Sequence, residues 1–287
     1  MNNYNFFNIK IDTIVANRNN RTKMDLIQTD TLDTLAISNS HPRDARIRFD
    51  EGPHIYTIDN DPSVIYTSVT TLNHAHFEQF DADRIIDKMM NSHRWSESKY
   101  FGNTKQDIKK IWSDNGRDAS EAGTKMHLDI EYYYNGAPRQ NNTIEYEYFE
   151  RFAAKHKHLI PYRTEWCVFD ESLRISGSID MIFENPDGTL AIYDWKRSKE
   201  IVKVSRFGKF SITPEIGHLP DTNFWHYALQ LNTYRYIIEK NYEKKVTELF
   251  LVCLHPDNAN KSYQKIRVPD LQEEITELMA KRLDSFD

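Results

Sequence analysis

The chain has 287 residues, enough for one large or two small domains, and its 39% hydrophobic content suffices for a folded core. A formal net charge of −6 argues against a protein that coats nucleic acid nonspecifically, but it allows a local basic groove. Two unpaired cysteines exclude a disulfide framework and an iron–sulfur cluster, and without an apolar run of ~18 residues we expect a soluble, intracellular protein.

The N-terminal half predicts an extension, a hairpin and several helices. Residues 1–45 are rich in Asn, Thr and Asp without a sustained period, so we expect a loosely ordered extension. The segment RIRFDEGPHIYTID (46–59) predicts a short hairpin whose turn is marked by Glu-Gly-Pro. Apolar spacing predicts helices at about 81–92, 104–114, 117–134 and 143–158.

The C-terminal half predicts a mixed α/β core. Strands separated by tight turns are predicted at 163–171, 174–184 and 190–196. A loop of ~25 residues follows, which is long for a compact domain and so is a candidate functional segment. The last predicted elements are a helix at 222–240, a strand at 247–255 and a helix at 269–286.

We therefore divide the chain into three parts. An extension (1–45) precedes a hairpin and helical region (46–160), and an α/β core (161–287) completes the chain. We expect residues 46–287 to form one compact unit.

The turn NPDG (185–188) predicts which side chains of the second and third strands face each other. Its Pro suits the second position of a type I turn and its Gly the left-handed position that follows. Counting outward from this turn places Asp180 opposite Asp194, and Lys196 opposite Ser178. Because side chains alternate, both aspartates and the lysine project from one face. The other face is apolar and carries Ile179, Met181, Phe183, Ala191, Tyr193 and Trp195.

Two facing carboxylates require something that holds them together. Cross-strand partners have Cβ atoms about 4.5–5.5 Å apart, where partly buried carboxylates repel each other. A divalent cation bridging Asp180 and Asp194 relieves the repulsion, and oxygen ligands suit Mg²⁺ or Mn²⁺. The alternative is a solvated pair with Lys196 as its ion-pair partner. The D-x-K spacing on an apolar strand favours the cation.

Four motifs in order resemble a known family. The segments GSID (177–180) and DWK (194–196) resemble the core of the PD-(D/E)XK nuclease superfamily. Upstream, GTKMHLDIE (123–131) is similar to the family's G-T-x-x-H-x-x-(I/L)-E helix, and 66–85 resembles its S-V-T segment. Downstream, QLNTY (230–234) is similar to its Q-x-x-x-Y helix. Together the motifs resemble those of RecB-type exonucleases, a group that includes the mitochondrial genome maintenance exonuclease.

The resemblance implies a fold and a set of site residues. The implied fold is a restriction-endonuclease-like core, a mixed central sheet flanked by helices, with an N-terminal helical region. One or two Mg²⁺ or Mn²⁺ ions would be held by Asp180, Asp194, the Trp195 carbonyl and His127. Lys196 would orient the attacking hydroxide or stabilise developing negative charge.

Two glutamates are further candidates. Glu131 follows His127 by four positions and so shares its helix face, which makes it a catalytic candidate as an outer ligand or a partner of Lys196. Glu165 on the first strand could approach the metal, or could be an exposed strand carboxylate.

Substrate contacts are predicted from the Q-x-x-x-Y helix and from the loop after DWK. Gln230 and Tyr234 would contact the substrate backbone or brace the catalytic strand, and the alternative places Tyr234 in the core. The run 196–209 carries six cationic residues and one glutamate, which favours a phosphate-tracking surface with Phe207 as a stacking plane. The predicted substrate-binding residues are Gln230, Tyr234, Ser178, Arg197, Lys199, Lys203, Arg206 and Lys209.

These features predict a hydrolase of phosphodiester bonds, with an exonuclease on single-stranded or end-bearing DNA as the leading hypothesis and RNA as a further candidate substrate. The alternatives are a structure-specific endonuclease, a non-catalytic nucleic-acid-binding module and a hydrolase of small phosphates. The sequence has no phosphate loop or GxGxxG, so we expect no nucleotide cofactor. We expect a monomer without membrane contact, and other replication or repair proteins are candidate partners.

Overall fold

The computed structural model describes residues 33–50 and 52–286. Most of the predicted extension, residues 1–32, lies outside the described residues. The remainder contains a short helix, α1 (Thr34–Ser38), and a 3-10 turn (Pro42–Arg46). Arg163 ties this part to the sheet by donating hydrogen bonds to the Asn39 carbonyl at 3.0 Å and to Asp44 Oδ2 at 2.7 Å.

A hairpin and a short capped helix precede the helical region. Strands β1 (Ile47–Asp50) and β2 (Ile55–Ile58) pair antiparallel, which confirms the predicted hairpin. A two-residue strand, β3 (Thr67–Ser68), leads into α2 (Val69–His74), neither of which was predicted. Helix α2 begins where the Ser68 hydroxyl accepts a hydrogen bond from the Thr71 N–H at 3.0 Å.

One long helix replaces two predicted ones. Helix α3 (Ala82–Met90) matches its prediction, but α4 (Lys105–Tyr134) runs for 30 residues through the Asn-Gly pair at 115–116. A glycine inside a helix costs about 1 kcal/mol. Packing outweighs that cost, because Trp112 packs against α3 in a small apolar cluster and Ile130 packs against the sheet. Helix α5 (Ile144–Lys155) follows as predicted. None of the described helices is long and apolar enough to cross a membrane.

The core is a six-stranded mixed sheet. Its strands after β3 are β4 (Ile160–Asp170), β5 (Ile175–Glu184), β6 (Leu190–Lys196), β7 (Val246–Cys253) and β8 (Gln264–Arg267). Strands β4, β5 and β6 are antiparallel as predicted, β6 pairs parallel with β7, and β3 pairs parallel with β5. Helices α6 (Asn223–Asn241) and α7 (Gln272–Asp284) complete the described chain. This mixed sheet flanked by helices confirms the predicted fold class.

Apolar layers cover both faces of the sheet. One layer packs against α6 and α7 and contains Ile182 and Ile192, and the other packs against α4 and α5 and contains Met181 and Trp195. The predicted apolar face lies in the second layer, except that Ile179 packs in the first. The prediction was wrong for Ile179 because the β4–β5 pairing is irregular beside it.

The sheet opens where β5 and β6 separate. The Asn185 N–H donates a 2.8 Å hydrogen bond to the Thr189 carbonyl, and the ladder continues to the pair Met181–Tyr193, which confirms the predicted register. Beyond that pair, the same edge of β5 pairs with β3 instead, at Ile175 and Ser176. Residues 177–180 therefore border a gap between two partner strands.

Candidate metal centre

Asp180 and Asp194 lie at this gap, and both carboxylates are largely withdrawn from solvent. Their side chains are 12% and 4% exposed. Asp180 Oδ2 accepts a hydrogen bond from the Trp195 N–H at 2.9 Å. Burial raises the pKa of both carboxyls, and the charge of Asp180 adds to the rise at Asp194. Both acids thus occupy a place where their charged forms need a cation.

Lys196 supplies one positive charge to the site. Its Nζ lies 2.7 Å from Asp194 Oδ2 and 4.7 Å from the centre of the Tyr227 ring, a neighbour that the sequence analysis missed. Burial lowers the pKa of Lys196, but the charges of Asp194 and Asp180 outweigh it, so the pKa lies above its usual value. The ammonium is therefore charged at neutral pH.

Glu131, the other predicted catalytic candidate on α4, lines a cavity of about 180 Å³ between α1 and β4, together with Glu165.

His127 reaches the gap from α4. Its Nε2 lies 2.8 Å from the Trp195 carbonyl, which can only accept, so Nε2 donates. Its Nδ1 then faces two carboxylates, 3.7 Å from Asp180 Oδ2 and 3.8 Å from Glu165 Oε1. Burial lowers the pKa of His127, but the charges of Asp180 and Glu165 raise it to about 9. A ring nitrogen fixed by a backbone carbonyl is the usual arrangement of a metal-binding histidine.

The structure brings Glu165 into the site. Ser178 Oγ donates a 3.0 Å hydrogen bond to Glu165 Oε2. His127, Glu165 and Asp180 each offer one ligand atom, and these atoms lie within 4.8 Å of one another. Glu165 also has a left-handed backbone, with φ of +43°, which costs an L-residue roughly 1–2 kcal/mol. The sequence signal for Glu165 was an acidic residue within a predicted strand. This signal did not decide whether the carboxylate approaches the metal or is simply exposed on the strand.

Helix α6 places Tyr234 and Gln230 beside the same gap. Tyr234 is buried in the apolar layer, and its hydroxyl lies 3.5 Å from Gln230 Nε2. A Cβ atom added at Gly177 would lie 2.8 Å from Tyr234 Cε1 and from its hydroxyl oxygen. The Tyr234 ring thus packs against β5 at a glycine, where that strand has no side chain. Tyr234 is therefore a core residue, and it also contacts the strand that carries Asp180.

The cationic residues predicted to bind substrate lie at or near the surface and contact nearby side chains. Four of them form ion pairs, namely Arg197 with Glu145, Lys199 with Asp257, Arg206 with Glu200 and Lys209 with Glu78. The Lys203 ammonium lies 4.4 Å from the centre of the Phe224 ring. Between and just after these cationic residues, the loop also exposes four apolar side chains, namely Val204, Phe207, Phe210 and Ile212. Cationic and apolar side chains are thus interleaved along the loop.

The donor set fits a divalent cation. The buried Asp194 Oδ2 lies 2.7 Å from the Lys196 ammonium. The carboxylates of Asp180, Asp194 and Glu165 nevertheless outnumber the cationic groups of Lys196 and His127 that face them. Negative charge withdrawn from solvent is costly unless it is paired, so a bound cation would stabilise the site. Carboxylate oxygens are the ligands that Mg²⁺ and Mn²⁺ prefer, and a neutral imidazole is a common metal ligand in proteins. The fold and the site together define a mixed α/β protein with an Asp–Asp–Lys centre at a break between strands.

The chain belongs to the PD-(D/E)XK nuclease superfamily, whose sequence profile matches residues 71–287. This range contains every residue of the centre described above. Nucleases of this superfamily hydrolyse phosphodiester bonds and typically use divalent metals. A search of curated proteins gave no match.

Two solved structures are among those similar to this chain. SSO0001 shares 15% sequence identity at a TM-score of 0.34, over 91% of this chain and 87% of that one. A protein described as "Putative exonuclease" from Eubacterium rectale shares 13% identity at a TM-score of 0.27, over 55% of this chain and 74% of that one. The family assignment rests on the profile match.

Proposed function

We propose that this protein is a divalent-metal-dependent nuclease that acts as an exonuclease on single-stranded or end-bearing DNA. The observation that carries the proposal is the pair of buried carboxylates, Asp180 and Asp194, at a break in the sheet beside the Lys196 ammonium. Membership of the superfamily supports the reaction class. The RecB-type motifs favour the exonuclease over the endonuclease.

Four groups would hold the metal. They are the carboxylates of Asp180 and Asp194, the Trp195 carbonyl and His127. Bound there, one or two Mg²⁺ or Mn²⁺ ions would lower the pKa of a coordinated water and neutralise charge on the reacting phosphate. The Trp195 N–H fixes Asp180 in place, and the Trp195 carbonyl fixes the imidazole.

Lys196 would act on the reacting groups directly. As an ammonium in a poorly solvated position, it would orient the attacking hydroxide or stabilise charge that develops on the phosphate. Glu131, which lines the neighbouring cavity, would act as an outer ligand. Attack in line with the leaving 3′ oxygen would leave a 5′-phosphate.

The loop after β6 supports contact with a single strand. Phe207 is 69% exposed and Val204 is 75% exposed, and Lys203 and Arg206 are exposed beside them. Exposed rings can stack on bases while cations follow the phosphates, which is how many single-strand binders work. The proposed substrate-binding residues are Gln230, Tyr234, Ser178, Arg197, Lys199, Lys203, Arg206 and Lys209.

The test is a cleavage assay on end-labelled linear DNA, covalently closed circular DNA and linear RNA, with Mg²⁺, Mn²⁺ or EDTA. Asp194→Asn and Lys196→Ala should abolish cleavage. Lys157→Ala, which removes an exposed lysine from the loop after α5, is the matched control and should cleave like the wild type.

The products decide among the candidate functions. Release of nucleotides or short oligomers from linear DNA alone supports the exonuclease, whereas nicking of closed circles supports the endonuclease. Binding of DNA without cleavage, unchanged in both site variants, would identify a non-catalytic module and refute the proposal.

A further inference from the structure

The pairing of β4 with β5 is interrupted at Glu165. The β4–β5 ladder passes from the pair Thr164–Met181 directly to Trp166–Ile179, so Glu165 and Asp180 face each other without backbone pairing. Neither neighbour of Glu165 on β4 is more than 9% exposed, whereas the Glu165 side chain is 35% exposed toward the gap. The irregularity therefore turns a carboxylate out of a buried strand and toward His127 and Asp180.

The two carboxylate oxygens of Glu165 have different surroundings. Oε2 accepts the hydrogen bond of Ser178, which fixes the rotation of the carboxylate. Oε1 lies 3.8 Å from His127 Nδ1, which is too long for a hydrogen bond. Asp180 Oδ2 lies 3.7 Å from the same nitrogen. Three potential ligand atoms thus surround a space without bonding to one another.

These atoms are close enough to share one cation. Octahedral Mg²⁺ holds its ligands at about 2.0–2.1 Å, which places adjacent ligands about 2.9 Å apart and opposite ligands about 4.2 Å apart. The two distances from His127 Nδ1 lie between these values, so shifts of less than about 1 Å would bring the three atoms onto one ion. Asp194, whose Oδ2 lies 2.7 Å from the Lys196 ammonium, supplies a further carboxylate of the proposed centre.

We infer that Glu165 is a ligand of the divalent cation, through Oε1, on the ion that His127 Nδ1 and Asp180 also bind. The inference rests on the proposed function, because it extends the metal centre of that site. Ser178, predicted as a substrate contact, is in this arrangement a positioning residue that aims Glu165.

The experiment measures Mn²⁺ binding by calorimetry and by the loss of the free-ion signal in electron paramagnetic resonance. Glu165→Gln keeps the size of the side chain and should weaken Mn²⁺ binding by at least about tenfold. Glu184→Gln is the matched control, since Glu184 ends the neighbouring strand β5 and pairs with Lys244 away from the gap. It should bind Mn²⁺ like the wild type.

Glu165→Gly keeps the test valid if the glutamine variant folds poorly. Glycine accepts a φ of +43° without strain, which offsets the loss of the Ser178 hydrogen bond, so this variant should fold, yet gain less in melting temperature than the wild type when Mn²⁺ is added. Wild-type affinity and stoichiometry in both Glu165 variants would overturn the inference while leaving the nuclease proposal intact. A wild-type protein that neither binds Mn²⁺ nor cleaves DNA would overturn both.

Discussion

The backbone N–H of Trp195 donates its hydrogen bond to the side chain of Asp180, at 2.9 Å, just beyond the last regular pair of β5 and β6. A carboxylate thus takes the place of a strand carbonyl at the point where the two strands separate. Because Asp194 precedes Trp195, this bond also fixes the spacing of the two acidic residues. The gap in the sheet and the proposed metal centre consequently coincide.

Gly177→Ala should destabilise the protein and displace Tyr234. The new methyl group would lie 2.8 Å from a buried ring, and overpacking of this kind costs about 1–3 kcal/mol. Chemical denaturation measures the loss. Gly123→Ala, in the interior of α4 with nothing within 4 Å, is the matched control and should raise stability by about 0.5–1 kcal/mol. Equal effects of the two substitutions would contradict the close approach of Tyr234.

Tyr227 should help to hold Lys196 in place. Its ring centre lies 4.7 Å from the ammonium, and such contacts contribute about 0.5–2 kcal/mol. Tyr227→Leu should therefore lower the cleavage rate at saturating DNA, by roughly 2- to 30-fold, whereas Tyr227→Phe keeps the ring and should stay near the wild-type rate. Single-turnover kinetics would separate the two variants. An equal loss in both would assign the effect to the hydroxyl group.

Metal affinity should rise with pH. Without metal the pKa of His127 is about 9, so at pH 7 its ring is protonated and a cation at Nδ1 must displace that proton. The apparent dissociation constant for Mg²⁺ should fall by up to about tenfold per pH unit from pH 7 toward 9. Calorimetry in buffers of different ionisation enthalpy should detect the released proton. His127→Gln should abolish this part of the dependence.

The stability of the metal-free protein should change with pH in the opposite direction. The raised pKa means that the folded state holds the His127 proton more tightly than the unfolded chain does. The resulting stabilisation is fully present below about pH 6.5 and is lost as the pH rises through about 9. Denaturation of the wild type and His127→Gln at pH 6 and pH 9 without metal checks this sign.

The loop after β6 should account for part of the salt dependence of DNA binding. Each phosphate contact on a single strand contributes about 0.7 to the slope of log affinity against log salt concentration. Lys203→Ala and Arg206→Ala should each reduce that slope by about this amount and weaken binding to all sequences alike. Lys157→Ala should leave the slope unchanged. Fluorescence anisotropy on labelled oligonucleotides measures the three slopes, and an unchanged slope in the loop variants would remove them from the DNA surface.

Local chemistry made much of the sheet predictable. The turn around Pro186 and Gly188 fixed the pairing of β5 with β6, and alternation then placed Asp180 and Asp194 together. Pattern alone could not give the continuity of α4, because its Asn-Gly pair favours a break and only contacts from α3 and the sheet override it. Whether a helix continues through such a pair is decided by its contacts with residues that are distant in the sequence.

The role of Glu165 was undecidable from the sequence for a related reason. A left-handed residue within a strand is not a local preference of glutamate, so the sequence left the direction of this side chain open, and regular alternation placed Ile179 on the wrong face. The irregular pairing of β4 with β5 depends on the assembled sheet. The sequence therefore predicted the two aspartates and the lysine but left the third acid open.

The bond between His127 and Trp195 joins positions 68 residues apart, and the ring of Tyr234 lies further along the chain still. A ribosome-bound nascent chain consequently cannot assemble the centre before β6 has been synthesised. Fragments that end before Trp195 lack both the donor to Asp180 and the acceptor of the His127 ring, so they cannot hold these side chains in this arrangement.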